Sequence, residues 1–134
     1  MVFSGQTTLR VRFEETDKMG IGYHSNYLIW FEVGRTELFR NIGIPYTAFE
    51  EQGIGLVVVE ANCRYKRPAQ YDDSLTIETV LEELSSRKVT FVYRVLRDEV
   101  VLCEGNTVHL FVNQEGKPIN ARNYPIWQQV LDVL

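Results

Sequence analysis

The chain has 134 residues, of which 24% are charged, a net charge of −4, and two cysteines, Cys63 and Cys103. This length can bury a core without disulfides or a structural metal, so we expect a single domain over residues 1–134. The acidic balance argues against a nucleic-acid or anionic-membrane partner. The sequence shows no signal peptide and no apolar run near the roughly 20 residues of a membrane span. With both cysteines interpreted as reduced, we expect a cytoplasmic protein.

A short strand and a loop are predicted at the N-terminal side. Over residues 7–13 apolar and polar residues alternate, which predicts a strand with Val11 and Phe13 on one face. The loop E-E-T-D-K-M-G-I-G-Y follows, and its two glycines allow a sharp turn into the next element.

A helix of about four turns is predicted next, because apolar residues recur at helical spacing from Tyr27 onward. Ser25 and Asn26 are both favourable N-cap residues, and Gly43 suits the C-terminal end. Leu28 and Ile29 are expected to widen the apolar stripe, so that most of the first turns are buried. The stripe itself consists of Tyr27, Trp30, Phe31, Gly34 and Leu38.

After a short helical turn within residues 45–52, the pattern changes to a period of two. Four strands joined by tight turns are predicted, and a C-terminal helix is predicted over residues 124–134. Because short connections imply antiparallel neighbours, the fold class is α+β, with a curved antiparallel sheet wrapped around one long central helix. The predicted strands cover residues 56–66, 75–82, 89–96 and 100–112. In the first of them, one face is predicted to carry Val57, Val59, Ala61, Cys63 and Tyr65.

Asp17 is the leading candidate for chemistry because it lies in the loop just ahead of the helix. Unpaired N–H groups and the helix dipole at that end favour a carboxylate anion, and they could also hold negative charge developing on a thioester carbonyl. Asp17 would then attack the carbonyl or activate a water molecule. On spacing alone, capping of the loop or helix is the commoner reason for such an acid.

The run E-E-T-D-K-M-G-I-G-Y-H-S-N-Y, followed by W-F-E-V-G-R-T-E, resembles the opening of the hotdog-fold acyl-CoA thioesterases. The likeness is to the 4-hydroxybenzoyl-CoA thioesterase branch and its short-chain relatives associated with the Tol–Pal system. The segment Y-K-R-P-A-Q-Y-D-D-S-L-T-I-E-T resembles a second shared block. The resemblance covers nearly the whole chain. It implies a hotdog fold and hydrolysis of an acyl-CoA to free acid and CoA without a cofactor.

By position, the resemblance places the catalytic carboxylate on Asp17 and the first acid of the acid-x-acid pattern on Glu15. His24 matches a histidine implicated in catalysis in the short-chain branch. The backbone N–H groups around Tyr23 and His24 match those that polarise the thioester carbonyl. Phe13 stands where that branch often has a tyrosine, so no hydroxyl is available there.

Substrate contacts are expected from two sets of residues. Coenzyme A carries several phosphates, so its binding requires fixed positive charge near the pocket mouth, although a solvated strand end is the alternative for any basic cluster. Glu32 and Arg35 match the helix motif and are expected to form a buried ion pair, and the alternative for Glu32 is that it helps to orient water. The acyl pocket is predicted to involve Gly20, Ile21, Tyr27 and Trp30. The phosphates of coenzyme A are predicted to be bound by Arg64, Lys66, Arg67, Arg87 and Lys88.

Two other functions stay open on the same fold: a non-catalytic acyl-thioester binding or interaction module, and a hydratase or dehydratase. No ligand spacing links the histidines, acids and cysteines, so no metal site is predicted, and His109 is interpreted as structural. The resemblance implies a homodimer or homotetramer, with sheets joined edge to edge.

Overall fold

Five strands and three helices make up the part of the chain described by the computed structural model, residues 3–133. The strands form one antiparallel sheet in the order β1-β3-β4-β5-β2, as defined by the ranges that follow. The strands are β1 (Phe3–Arg10), β2 (Gly55–Tyr65), β3 (Ser74–Leu84), β4 (Lys88–Arg97) and β5 (Val100–Val112). The helices are α1 (Asn26–Asn41), α2 (Tyr46–Glu50) and α3 (Ile126–Val133), with 3-10 turns at Phe13–Glu15 and Ala121–Asn123.

The core lies between α1 and one face of the sheet, which we call the inner face. Phe31 of α1 stacks on Tyr93 of β4 with ring centroids 4.2 Å apart and planes 2° from parallel. Gly105 of β5 lies under the same ring, where an added Cβ would come within 2.7 Å of Phe31. Each fully buried large apolar side chain contributes about 1.5–3 kcal/mol, so this packing fixes α1 across the sheet. The predicted α+β class is confirmed.

The first strand ends earlier than the alternation predicts. β1 pairs with β3 only as far as Arg10 with Ser74, after which the chain leaves the sheet. Val11 is buried, but Phe13 lies in a 3-10 turn and is 75% exposed, with its ring edge-on to Tyr71. The predicted strand over residues 7–13, with Phe13 on the same face as Val11, was therefore wrong at its C-terminal end.

Helix α1 agrees with its predicted bounds, and Gly43 has the positive φ of +87° expected after a helix end. The predicted burial of its first turns was wrong for Leu28 and Ile29, which are 40% and 48% exposed. These side chains lie beside β2 and not over the sheet centre. The expected Glu32–Arg35 ion pair is also absent among the salt bridges of residues 3–133.

Strand β2 contains a bulge that the sequence pattern did not reveal. Val58 pairs with His109 and Glu60 pairs with Val108, so Val59 is an extra residue in the ladder. Because one extra residue reverses the alternation, Val57 faces away from the inner face that carries Ala61 and the residues after it. The predicted common face was therefore wrong for Val57.

The remaining elements follow their predictions closely. The inner-face residues of β3 and β4 are buried as the alternation predicts, and α2 lies within the predicted range 45–52. The C-terminal helix ends at Val133, and its predicted last residue, Leu134, lies outside the described residues. Between residues 3 and 133, no helix is both long and apolar enough to cross a membrane.

His109 of β5 is completely buried in the core. Its Nε2 lies 2.8 Å from the Thr107 hydroxyl, which in turn lies 2.5 Å from the Tyr93 hydroxyl. Burial, with a smaller contribution from the positive charge of Arg35, lowers the pKa of His109 to about 4. The imidazole is therefore neutral in the folded protein at neutral pH, which supports its interpretation as a structural residue.

This lowered pKa predicts an acid-sensitive fold. Between an ordinary value of 6.5 and about 4, the unfolded chain binds a proton that the folded chain does not. The contribution of His109 to the free energy of unfolding is thus complete above pH 6.5 and is lost as the pH falls from 6.5 through about 4. At pH 5 the expected loss is about 2 kcal/mol. Urea unfolding of the wild type and His109→Gln at pH 7.5 and 5 measures it. An equal pH dependence in both proteins would contradict the assignment.

Candidate active site

The loop before α1 is a tight turn closed by backbone hydrogen bonds. The Asp17 N–H donates to the Ile21 carbonyl at 2.9 Å, and a bridge joins Thr16 to Gly22. Gly20 supplies the positive φ of +78° that this turn requires. The sequence segment therefore folds into a rigid turn that presents the Asp17 side chain at a defined place.

One oxygen of the Asp17 carboxylate is occupied and the other is free. Its Oδ1 accepts from the Met19 N–H at 2.8 Å and, at 3.5 Å, from Ile21. Asp17 therefore caps its own turn and not helix α1. Its Oδ2 has no hydrogen-bond partner among residues 3–133. Capping explains Oδ1 but leaves Oδ2 available for chemistry.

Helix α1 begins without a side-chain cap. Ser25 occupies the N-cap position but makes no capping hydrogen bond, and the Asn26 amide group donates instead to the Glu15 carbonyl at 2.9 Å. The Tyr23 N–H also donates to that carbonyl, at 2.8 Å, so it is not free to polarise a substrate as expected. The N–H groups of His24 and Ser25 have no acceptor among residues 3–133. The open donors thus begin one residue later than expected.

Glu15 joins the loop to α1 through a buried carboxylate that is only 5% exposed. Its Oε1 accepts from the Arg12 N–H at 2.8 Å, and its Oε2 accepts from the Trp30 indole N–H at 3.0 Å. Because both oxygens are satisfied, this carboxylate is held in one position. Glu15 therefore serves the site by holding its backbone and not by reacting.

A second loop, residues 66–73, lies against the first. The Gly22 N–H donates to the Ala69 carbonyl at 2.7 Å, and the Ala69 N–H donates to the Tyr27 hydroxyl at 3.2 Å. Arg97 holds this loop from β4, since its guanidinium donates to Asp73 at 2.8 Å. These bonds bring the basic segment after β2 next to Asp17.

Together the two loops, the start of α1 and the end of β2 line an open cavity of about 400 Å³. The structure brings six of the predicted site residues together around this cavity: Asp17, His24, Ile21, Tyr27, Lys66 and Arg67. Three further lining residues were not predicted as site residues: Gly22, Tyr65 and Pro68. The alternation of β2 was the one feature of the sequence that could have indicated Tyr65 as a lining residue, because it predicts that Tyr65 shares a face with Ala61 and Cys63.

Four predicted site residues near the cavity do not line it. Tyr23 uses its N–H within the loop, and Gly20 lies at the tip of the turn. Trp30 is 1% exposed and donates to Glu15, so it supports the site from behind. Arg64 precedes Tyr65 on the opposite face of β2, where it pairs with Glu104 at 3.5 Å.

Arg87 and Lys88 lie at the far end of the sheet. Lys88 pairs with Leu110, whereas Tyr65 at the cavity pairs with Cys103. The two positions on β5 are seven residues apart, which at about 3.3 Å per residue is more than 20 Å. Within one chain these two basic residues cannot reach the cavity.

The hydroxyl groups in the cavity are unsuited to act as bases. Burial raises the pKa of Tyr27 and of Tyr65 above the ordinary tyrosine value, so both stay protonated at neutral pH. The His24 ring lies 4.3 Å from the Tyr23 ring and makes no hydrogen bond within residues 3–133. Asp17 and His24 are thus the lining side chains whose chemistry suits a nucleophile or general base.

Among residues 3–133 no group of three or more histidine, cysteine, aspartate or glutamate side chains could hold a metal ion. The two cysteines are free, and burial raises the pKa of Cys103 to about 12, so that its thiol stays protonated.

Comparisons with known proteins identify the family to which the chain belongs. Residues 11–132 match the family described as Thioesterase-like superfamily. YneP of Bacillus subtilis, provisionally named an acyl-CoA thioesterase, is 37% identical over 122 residues, or 89% of this chain and 88% of YneP. The acyl-CoA thioesterase YbgC of Haemophilus influenzae is 36% identical over 95 residues, or 70% of each chain. The structure of a DHNA-CoA thioesterase from Staphylococcus aureus superposes with a TM-score of 0.89 at 30% identity, covering 96% of this chain and 89% of that one.

The chain belongs to the thioesterase-like superfamily of hotdog-fold proteins. It is a thioester hydrolase. The resemblance found in its first and second sequence blocks is therefore confirmed at the level of family and fold.

The Glu15–Trp30 hydrogen bond yields a prediction for stability. Trp30→Phe replaces the indole by a smaller phenyl ring and removes the hydrogen bond to Glu15 Oε2, so that only the Arg12 guanidinium, 3.6 Å away, remains near this oxygen. Loss of the hydrogen bond is expected to cost about 1–3 kcal/mol. Urea unfolding measures the change. Trp127→Phe is the matched control, because its indole packs edge-on against Phe111 and donates no hydrogen bond within residues 3–133. Equal losses in both variants would show that the hydrogen bond contributes nothing of its own.

Proposed function

We propose that this protein is an acyl-CoA thioesterase that hydrolyses an acyl-CoA to the free acid and CoA without a bound cofactor. The observation that carries the proposal is the shared cavity of Asp17, the open α1 N-terminus and two basic residues, Lys66 and Arg67. A thioester needs a nucleophile or base beside its carbonyl, donors for the oxyanion, and cations for the CoA phosphates. The cavity offers all three, and the relatives YneP and YbgC are named for this substrate class.

In the proposed reaction, Asp17 acts as nucleophile or as general base. As nucleophile, its free Oδ2 attacks the carbonyl carbon, CoA leaves as the thiolate, and water hydrolyses the resulting anhydride. As base, the carboxylate takes a proton from the attacking water, and CoA leaves from the tetrahedral intermediate. In both routes the N–H groups of His24 and Ser25 stabilise the oxyanion. Met19 keeps Oδ1 in place in both routes.

Replacement of Asp17 by asparagine tests the proposal. The amide oxygen can still accept from Met19, so the fold and ligand binding are retained, but neither a nucleophile nor a base remains. We expect kcat for acyl-CoA hydrolysis to fall about 10²–10⁴-fold with a similar KM. Asp98→Asn, at the exposed β4–β5 turn, is the matched control.

Three outcomes of that experiment separate the functions. Wild-type turnover by Asp17→Asn on a thioester panel would overturn the catalytic role of Asp17. Binding of acyl-CoA by the wild type without any turnover would indicate a non-catalytic module. Hydration of crotonyl-CoA, measured in parallel, would indicate a hydratase.

We also propose that two copies of the chain associate through β2. This strand forms one edge of the sheet, and Val57, Val58 and Val59 are 45–49% exposed along it. An uncovered edge bordered by apolar side chains is unfavourable in a monomer. A homodimer joined edge to edge, or a homotetramer of two such dimers, would cover these groups.

Antiparallel pairing of the two β2 strands explains the remote basic residues. A two-fold axis on this edge brings the β2 end near Val57 of one copy beside the β2 end near Tyr65 of the other. Lys88 lies at the Val57 end of its own sheet, because both residues pair with Leu110. Arg87 and Lys88 of the partner subunit would therefore lie on the cavity side, where they could bind the distant phosphates of CoA.

Removal of this charge should affect binding and not chemistry. In the double variant Arg87→Ala and Lys88→Ala, we expect KM for acyl-CoA to rise about tenfold, since each solvent-exposed ion pair contributes roughly 0.2–1 kcal/mol. The value of kcat should stay within twofold. Arg94→Ala, at a position paired with Glu78 on the outer face, is the control. An unchanged KM in a protein shown to be dimeric by sedimentation would contradict the proposal.

A further inference from the structure

Tyr65 is the last residue of β2 and lines the same cavity as Asp17. It faces inward, opposite Cys103, and 50% of the residue is exposed. No role follows for it from the proposed reaction, because its protonated hydroxyl is neither nucleophile nor base. Its position at the wall of the cavity calls for a different explanation.

The ring of Tyr65 is held across the cavity by three contacts. Its hydroxyl donates to the His24 carbonyl at 3.0 Å, which ties the edge strand to the start of α1. The ring meets Tyr27 edge-on with centroids 5.1 Å apart, and meets His24 in the same way at 6.5 Å. A side chain on the edge of the sheet is thus fixed in one orientation.

Behind this ring lies a second space. The inner face of β2 continues from Tyr65 through Cys63 and Ala61 to Val58, all smaller side chains. A groove of about 210 Å³ is lined by Ala61, Val58 and Thr107 of the sheet and by Leu28, Ile29, Glu32 and Arg35 of α1, and most of its surface is apolar. Along the inner face of β2, Tyr65 therefore lies between the cavity and this mostly apolar groove.

The other lining groups cannot set this boundary as Tyr65 does. Tyr27 is 2% exposed and its hydroxyl is engaged by Ala69, so it is part of the core. Lys66 and Arg67 attract the CoA end of a substrate. Lys66 and Arg67 follow the end of β2, whereas Tyr65 lies on its inner face, so an acyl group whose CoA end is held by these cations would extend inward toward Tyr65.

We propose that Tyr65 is a specificity-determining residue that closes the acyl end of the cavity and sets the upper limit on acyl length. This inference rests on the proposed acyl-CoA thioesterase function. An acyl chain that ends before the Tyr65 ring fits the cavity, whereas a longer one meets the ring. Without the ring, a longer chain would enter the apolar groove, and each methylene buried there would gain about fourfold in kcat/KM.

The experiment compares Tyr65→Ala and Tyr65→Val with Tyr65→Phe on butanoyl-CoA and decanoyl-CoA. The two small replacements are expected to raise the decanoyl to butanoyl ratio of kcat/KM at least tenfold over the wild type. Tyr65→Phe keeps the ring and loses only the hydrogen bond to His24, so its ratio should stay within twofold. An unchanged ratio in the small variants, or an equal shift in Tyr65→Phe, would overturn the proposal.

The same variants separate this inference from the reaction itself. Binding of non-hydrolysable butyl and decyl thioethers of CoA is measured by calorimetry on Asp17→Asn proteins with and without Tyr65→Val. A tenfold rise in the relative affinity for the decyl compound supports the role of Tyr65 even where hydrolysis fails. An unchanged relative affinity rejects it even where Asp17 proves catalytic.

Discussion

The buried contact between Glu15 and the indole of Trp30 is the interaction on which the candidate site depends. It joins the loop before α1 to the helix that anchors the core. The same residue uses its backbone carbonyl to accept from Tyr23 and from Asn26, so it also sets the first turn of α1. A buried carboxylate costs desolvation energy unless it is fully hydrogen-bonded, and that requirement gives the loop a single conformation.

The site is built by dividing tasks between neighbouring acids. Glu15 has both carboxylate oxygens engaged and is buried, whereas Asp17, two residues later, engages one oxygen and lines the cavity. The start of α1 shows the same division. The Tyr23 N–H donates within the protein to the Glu15 carbonyl, whereas the N–H groups of His24 and Ser25 have no acceptor within residues 3–133. Adjacent groups thus supply the rigidity of the loop and the open oxygen and donors that the proposed reaction requires.

Sequence reasoning succeeded where the controlling signal is local. The bounds of α1, the alternation in β3 and β4, and the location of Asp17 ahead of a helix all follow from neighbouring residues. It failed where contacts between distant segments decide. Nothing in the run of three valines marks Val59 as a bulge, because its pairing depends on β5 about fifty residues away. The contact of Ala69 with Tyr27 spans 42 residues, and so the role of the second loop as a cavity wall was visible only in three dimensions.

The bulge in β2 connects the open edge of the sheet to the site. By reversing the alternation, it sends Val57 outward while Ala61, Cys63 and Tyr65 remain inward. Without it, a strand that begins with Val57 facing outward would end with Tyr65 facing outward, and the cavity would lose its wall. A β-bulge also increases the local twist of a strand. The start of β2 can therefore pair with β2 of the second copy in the proposed association, while the end of β2 lies against α1. One extra residue therefore serves both the proposed association of two copies and the shape of the acyl-binding space.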